Sequence, residues 1–311
     1  MSRLPSVIAT SVVRSAHQGE SHGGIFIVDL DAGTFIQKTD WNNCDIDWGG
    51  RGGDRGLRGI AFHGDEIIIA ASDEIIVYDR EFNQLRSLRN RYLKYCHEIF
   101  ISGDMLYLTS TGYDSVLVAN ITNDRFVAGY CARVNTSGNL SVDGFNPEAD
   151  GGPPPGDMLH LNNVHIDEEG MHISGHQLPF IIIIDASGIW KYGKLPLGTH
   201  NARPWNGDLL FNNTAANCIS LTRRDGTPVR SWAVTLYDET TLRNSNLAND
   251  HARQGFCRGL CVINNGKFIV GGSSPSTISV YPVQGGEPVR QVNISMDKRN
   301  AIHGLEVWPF T

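Results

Sequence analysis

Four histidines of this 311-residue chain, His97, His160, His200 and His303, stand far apart in sequence, each at or just before the start of an apolar, strand-like run. Imidazole is the commonest metal ligand and the usual acid–base group near neutral pH. Three or four imidazoles brought together would hold Zn²⁺, Fe²⁺ or Mn²⁺ and leave a position open for substrate; His165 is a reserve ligand. Arg58, Arg203 and Arg258 occupy comparable positions, and guanidinium groups suit carboxylate, phosphate or sulfate through paired hydrogen bonds. Asn162 and Asn201 add amide groups to the same set. Read as an enzyme, the chain would use His97, His200 and Arg203 for catalysis. Arg58, Asn162, Asn201 and Arg258 would bind ligand, and His97, His160, His200 and His303 would bind metal. The competing reading is that such strand-end groups only satisfy buried carbonyls or bridge neighbouring elements.

These residues meet only if the elements that carry them converge on a common axis. A short segment recurs along the chain: a polar residue, alternating apolar positions, a turn such as GD or NNG, then a dense apolar run. It begins RGIAFHGDEIIIAAS at Arg58, HEIFISGDMLYLTST at His97 and NNVHIDEEGMHISGH at Asn162. It continues NARPWNGDLLFNNTA at Asn201, RGLCVINNGKFIVGGS at Arg258 and HGLEVWPF at His303. Each copy reads as a strand, a hairpin turn and a second strand. Two further strand-like runs follow, as in DEIIVYDR and NQLRSLR after the first copy. Four short strands per repeat of about 40 residues predict the blade of a propeller. The sixth copy stops after one strand, and SVIATSVVRS, GGIFIVDLDAG and TFIQKTD, all within residues 1–40, supply three more. The prediction is an all-β, single-domain, six-bladed β-propeller over 1–311, closed by pairing N-terminal strands with the C-terminal strand, which hides both sheet edges.

In that scheme the first residues of the inner strands ring the channel mouth: Arg58, His97, Asn162, Asn201, Arg258 and His303, with His160, His200 and Arg203 within one or two residues. Glu98 and Glu306 alternate away and are expected to face between blades. His17, His22, His63, His172, His176 and His251 are expected at the surface or in turns. Two connections exceed what the repeat needs, roughly 131–158 and 237–254, and both are expected to lie irregularly over the face where inner strands begin, as lids, pocket walls or plain excursions. The segment 41–55, with Asp45, Asp47 and Asp54 among many glycines, reads as a solvated turn.

LHLNNV at Leu159–Val164, THNARPW at Thr199–Trp205 and GFCRGLCV at Gly255–Val262 resemble signature segments of an uncharacterised bacterial β-propeller family. In that family His-Leu-Asn, His-x-x-Arg and Arg-Gly-Leu segments open successive inner strands. His160 and Asn162, His200 and Arg203, and Arg258 match those positions, and the CHEI segment around His97 matches more loosely. The resemblance implies the propeller fold and a pocket at the inner-strand starts. More remotely, the arrangement is similar to NHL-type and lactonase-type six-bladed propellers. Among these, a peptide-amidating lyase holds zinc with histidines from several blades, whereas the lactonase type relies on acidic ligands that are scarce at these slots.

Composition narrows the partners. A net charge of −7 argues against a nucleic-acid binder. No apolar run of about 18 residues exists to span a membrane. The first residues lack a secretory h-region, so the six scattered cysteines read as thiols in a cytoplasmic protein; Cys257 and Cys261 read as small core residues. No P-loop, GxSxG, HExxH or dinucleotide fingerprint is present, so no nucleotide cofactor is expected. The function expected is a metal-assisted lyase or hydrolase for a small polar or anionic metabolite. A non-catalytic binder of a small anion or sugar uses the same pocket, and an interaction platform would need an exposed apolar or aromatic patch.

Overall fold

The computed structural model describes residues 3–17, 19–42 and 56–310; the segment 43–55, with Cys44, Asp45, Asp47, Trp48 and Asp54, lies outside them. Ser6–Val13 (β1), Gly24–Asp29 (β2) and Thr34–Asp40 (β3) are followed by Ile60–His63 (β4), Glu66–Ala71 (β5), Glu74–Tyr78 (β6) and Gln84–Arg89 (β7). The next blade holds Ile99–Ser102 (β8), Met105–Ser110 (β9), Ser115–Asn120 (β10), Arg125–Val134 (β11) and Leu140–Phe145 (β12). Two more comprise Leu161–Asp167 (β13), Gly170–Gly175 (β14), Phe180–Asp185 (β15) and Gly188–Lys194 (β16), then Thr199–Trp205 (β17), Asp208–Asn213 (β18), Cys218–Thr222 (β19) and Pro228–Ala233 (β20). Gly255–Ile263 (β21), Phe268–Ser274 (β22), Thr277–Pro282 (β23) and Arg290–Asn293 (β24) form another, and Asn300–Val307 (β25) ends the series.

These strands make six antiparallel sheets, the blades of a six-bladed β-propeller. The closing sheet has the order β25-β1-β2-β3, with Val7 opposite Val307 and Val13 opposite Asn300. The N-terminal strands therefore complete the blade that the last strand begins. The β8–β12 blade has five strands rather than four. Its extra strand, β12, corrects the reading of 131–158 as wholly irregular: β11 runs on to Val134, and β12 returns along it from Val134↔Leu140 to Gly129↔Phe145.

The repeat's hydrophobic grading explains where each strand sits. EIIIAA and EIIVY are buried at nearly every position of β5 and β6, as expected of strands covered on both faces. QLRSLR in β7 is exposed at four of its six positions, the pattern of an outer strand. Between β17 and β18, Asn206 and Gly207 both take positive φ, the geometry of the two-residue turn that matches strand twist.

The chain forms two compact units. One comprises Met1–Gly59, Asn212–Ser220 and Arg230–Thr311, the other Ile60–Phe211 and Leu221–Val229. The first is built on Val7, Ala9, Phe26, Val28, Val270, Val280, Ile302 and their neighbours. The second has one core around Ile68, Ile75, Leu106, Leu108 and Leu117 and another around Val116, Leu161, Ile173 and Ile182. Cys96, Cys131, Cys218, Cys257 and Cys261 are thiols, and burial pushes Cys257 up to about 12. No helix among the described residues is long and apolar enough to cross a membrane.

Candidate metal centre

Three blades of the second unit deliver histidines to one place. His97 precedes β8, His160 precedes β13 and His200 is the second residue of β17. One ring nitrogen from each lies within 4.8 Å of the other two. His176, in the turn after β14, joins them: its ring centroid is 5.6 Å from His160 and 5.4 Å from His200, while His97 stands 5.1 Å from His160 and 6.3 Å from His200. Four imidazoles therefore close a ring. The expectation that His176 lies in a turn holds, but its membership of this group was invisible because it follows a second strand instead of opening a first.

Hydrogen bonds fix the tautomers of two of these rings. Nδ1 of His97 lies 2.7 Å from the Tyr95 carbonyl oxygen and 2.9 Å from Thr111 Oγ1, and the Thr111 hydroxyl donates to the Leu161 carbonyl. A carbonyl only accepts, so Nδ1 carries the proton and Nε2 the lone pair. Nδ1 of His160 lies 2.9 Å from Asp157 Oδ1. A carboxylate likewise accepts, so Nδ1 again carries a proton, and in the neutral ring the lone pair is on Nε2. Anchoring of one ring nitrogen by a carbonyl or carboxylate is the arrangement that orients metal-binding imidazoles.

The backbone that presents them is unusual. Tyr95, His160 and Asn201 have φ of 56°, 52° and 53°, a conformation side-chain-bearing residues rarely adopt and one that clusters at functional sites. Asp114 stabilises the His160 segment: its buried carboxylate accepts from the N–H groups of Met158, Leu159 and His160 at 2.7, 3.0 and 3.1 Å. Burial pushes the Asp114 carboxyl up from the ordinary range, and these donors oppose the shift. The 131–158 connection thus delivers both Asp157 and the approach to His160.

Other predicted residues take different settings. Glu98, expected between blades, instead accepts from Asn201 Nδ2 at 2.8 Å, reaching from the β8 segment to β17, two blades on. Ordinary strand alternation does not apply to it, because Thr109 Oγ1 takes the N–H groups of both His97 and Glu98 ahead of β8. Asn162 donates to the Thr199 carbonyl at 2.8 Å and Asn163 to that of Ala202 at 2.7 Å, so both tie β13 to β17. His165 packs its ring 4.9 Å from Phe100. Burial, then the charge of Arg203, lowers its pKa to about 4. Arg203 is thus beside His165. Two histidines expected at the surface or in turns are buried: His172 lies within β14, 2.9 Å from Asp167, and His22 lies in the connection from β1 to β2. Trp41 and Trp232 are buried, whereas Trp190 is exposed.

Arg58, Arg258 and His303 belong to the first unit. His303 is in neither group of potential metal ligands among the described residues. Its Nε2 lies 3.3 Å from Arg258 Nη1, and a fixed cation so close opposes binding of a second. The structure therefore gathers three of the four predicted ligands and sets the fourth among arginines.

No protein-family model and no curated protein matches the sequence. Solved structures do match. A Bacteroides caccae protein of unknown function is 12% identical over 97% of this chain and 98% of its own, with a TM-score of 0.57. The WD40 β-propeller domain of Doa1 is 10% identical over 92% of this chain and 79% of that one, with a TM-score of 0.53. The computationally designed Ika8 protein is 9% identical over 95% and 96%, with a TM-score of 0.50. At such identities the likeness shows the propeller fold alone.

Proposed function

We propose that His97, His160 and His200 hold a divalent ion, Zn²⁺, Fe²⁺ or Mn²⁺, and that the protein is a lyase or hydrolase for a small polar or anionic metabolite. The observation that carries this reading is the meeting of three ring nitrogens from three blades within 4.8 Å. Nitrogens sharing one ion at about 2.0–2.1 Å lie no more than about 4.2 Å apart, so small ring rotations close the spread. The donor set fits: imidazoles, two of them (His97 and His160) anchored through Nδ1, suit these borderline cations.

Bound there, the ion would supply Lewis-acid polarisation of a carbonyl or a water of lowered pKa. The chain's own groups supply the rest. Glu98, held by Asn201, is the carboxylate available to take a proton and return it. His176 adds a fourth imidazole as ligand or donor. Arg203, on the same strand as His200, is the cation assigned to an anionic substrate group. The thiol state of the described cysteines supports a cytoplasmic setting.

Elemental analysis of the purified protein tests this. The expected result is about one Zn, Fe or Mn per chain, lost in His97→Ala and His200→Ala while the circular dichroism spectrum stays native. A native protein that takes up none of these ions on dialysis, or retains its ion in both variants, overturns the assignment.

A further inference from the structure

Two of the three histidines assigned to the ion stand near the ends of connections between blades. His97 lies in the connection 90–98 from β7 to β8, and His160 ends the connection 146–160 from β12 to β13. The two connections are laced together. Asn90 Nδ2 donates to the Pro147 carbonyl at 3.2 Å, and Arg91 pairs with Asp150. The Tyr92 hydroxyl accepts from Gly152 N–H at 2.9 Å and donates to the Ala149 carbonyl at 3.4 Å. Further along, Gly156 N–H donates to the Gly112 carbonyl at 2.9 Å, beside a parallel bridge between Tyr113 and Gly156. The three N–H groups held by Asp114 then lead into His160.

Tyr92 is the centre of this lacing. The residue is buried, and its ring meets Phe145 and Tyr113 edge-on, with centroids 5.2 and 5.5 Å away. Phe145 ends β12, where the second connection begins, and Tyr113 precedes Asp114. Gly152 crosses directly over the ring: a Cβ there would lie 2.5 Å from Tyr92 Cζ and 2.8 Å from its hydroxyl oxygen. Tyr92 is itself fixed, because its carbonyl accepts from the Ser110 hydroxyl, whose oxygen also takes the Lys94 N–H at 3.0 Å. From Gly152 the chain passes through Pro153, Pro154 and Pro155 to Asp157 and His160. Proline rings lock φ, and a proline run is a semi-rigid spacer. A displacement at Gly152 is therefore passed on toward His160 instead of being absorbed within the loop.

We infer that Tyr92 is a positioning residue of the metal centre, whose hydroxyl and ring fix the connection 146–160 against the connection 90–98 and so set His160 at its distance from His97. The inference rests on the metal reading proposed above. Ligand groups work only when held within about 0.5 Å of the productive geometry, and here two imidazoles 5.1 Å apart are borne on separate loops. A clasp between those loops, made before the ion arrives, removes the ordering cost that binding would otherwise carry. Tyr92 touches neither imidazole, so it acts through the backbone that bears Asp157 and His160.

Chelator-competition titration with Zn²⁺, together with amide hydrogen exchange of the metal-free protein, tests this in Gly152→Ala and Tyr92→Phe. The methyl added in Gly152→Ala is driven against the Tyr92 ring. It should weaken zinc binding by about tenfold or more and speed exchange of the Met158, Leu159 and His160 amides. Tyr92→Phe keeps the ring and should weaken zinc binding by about 2–10-fold, the range of one hydrogen bond. Zinc affinity is the readout that a purely structural contact would not move. Unchanged affinity in both folded variants overturns the role, even if exchange is faster. A wild type that takes up no zinc brings down the metal reading instead, and exchange then decides alone. Faster exchange in the variants would uphold the placement of His160 by Tyr92, and unchanged rates would overturn it.

Discussion

Asp157 and His160, three residues apart at the approach to β13, face each other with 2.9 Å between Oδ1 and Nδ1. Because the carboxylate fixes the orientation of the imidazole, Asp157→Ala should weaken metal binding by about 10–100-fold. Stability in the metal-free state should change little, since Asp157 is largely exposed. A chelator-competition titration measures the affinity, and an unchanged value would mean that Asp157 plays no part.

Asp114 gives the contrasting case. Its carboxylate takes three backbone N–H groups of the same segment, and leaving buried donors unmatched costs about 1–3 kcal/mol per group. Asp114→Ala should therefore lower the stability of the metal-free protein by at least about 3 kcal/mol and also weaken metal binding. Urea denaturation with and without metal separates the two effects. A variant as stable as the wild type would show that the segment is held by other contacts.

Acid should destabilise the protein through His165. Its pKa falls from 6.5 to about 4 on folding, so between those values the unfolded chain binds more protons than the folded one. The contribution is complete above about pH 6.5, declines as pH falls, and is lost by about pH 4, a range on the order of 3 kcal/mol. His303, shifted in the same direction, adds to the slope. Urea midpoints from pH 7 to 4 should fall less steeply in His165→Phe than in the wild type. Parallel profiles would remove His165 as a cause.

Gly304→Ala should be among the most damaging small substitutions. The added methyl would sit 2.1 Å from the Arg58 carbonyl oxygen and 2.5 Å from Thr10 Oγ1, contacts that only backbone movement relieves. A loss of at least about 3 kcal/mol is expected. Gly64→Ala, where nothing lies within 4 Å but φ is +57°, should cost only about 1 kcal/mol. Thermal melts of the pair make the comparison, and equal losses would mean that the tight approach is easily relaxed.

The repeat was legible because each blade writes the same physical code: a polar strand start, a hairpin turn and a strand buried on both faces. The extra strand β12 was not, since LSVDGF is half-exposed or exposed throughout and carries no hydrophobic stripe. The histidine positions were readable to within two residues and no better. Asn162 occupies the slot that pattern assigns to the ring, yet its amide reaches the Thr199 carbonyl while His160 reaches the cluster. The left-handed turn at His160 and the register shift between Leu161 and Asn163 decide this, and neither has a marker in composition. Glu98 escaped for a related reason, because the irregular entry to β8 cancels the alternation on which its assignment rested. His176 is brought in by the Leu159–Gln177 and His160–His176 backbone hydrogen bonds, which no local signal announces.

The pairing of Val7 with Val307 has a consequence for biosynthesis. On the ribosome, β1 leaves the exit tunnel about 300 residues before the segment it must join, an interval of about 15–60 s at ordinary elongation rates. Throughout that time its apolar residues have no native neighbour on that side, and the nascent chain depends on chaperones or on transient collapse to keep them from other polypeptides. Expression yield should therefore respond to elongation speed and chaperone supply more than the stability of the finished protein would suggest.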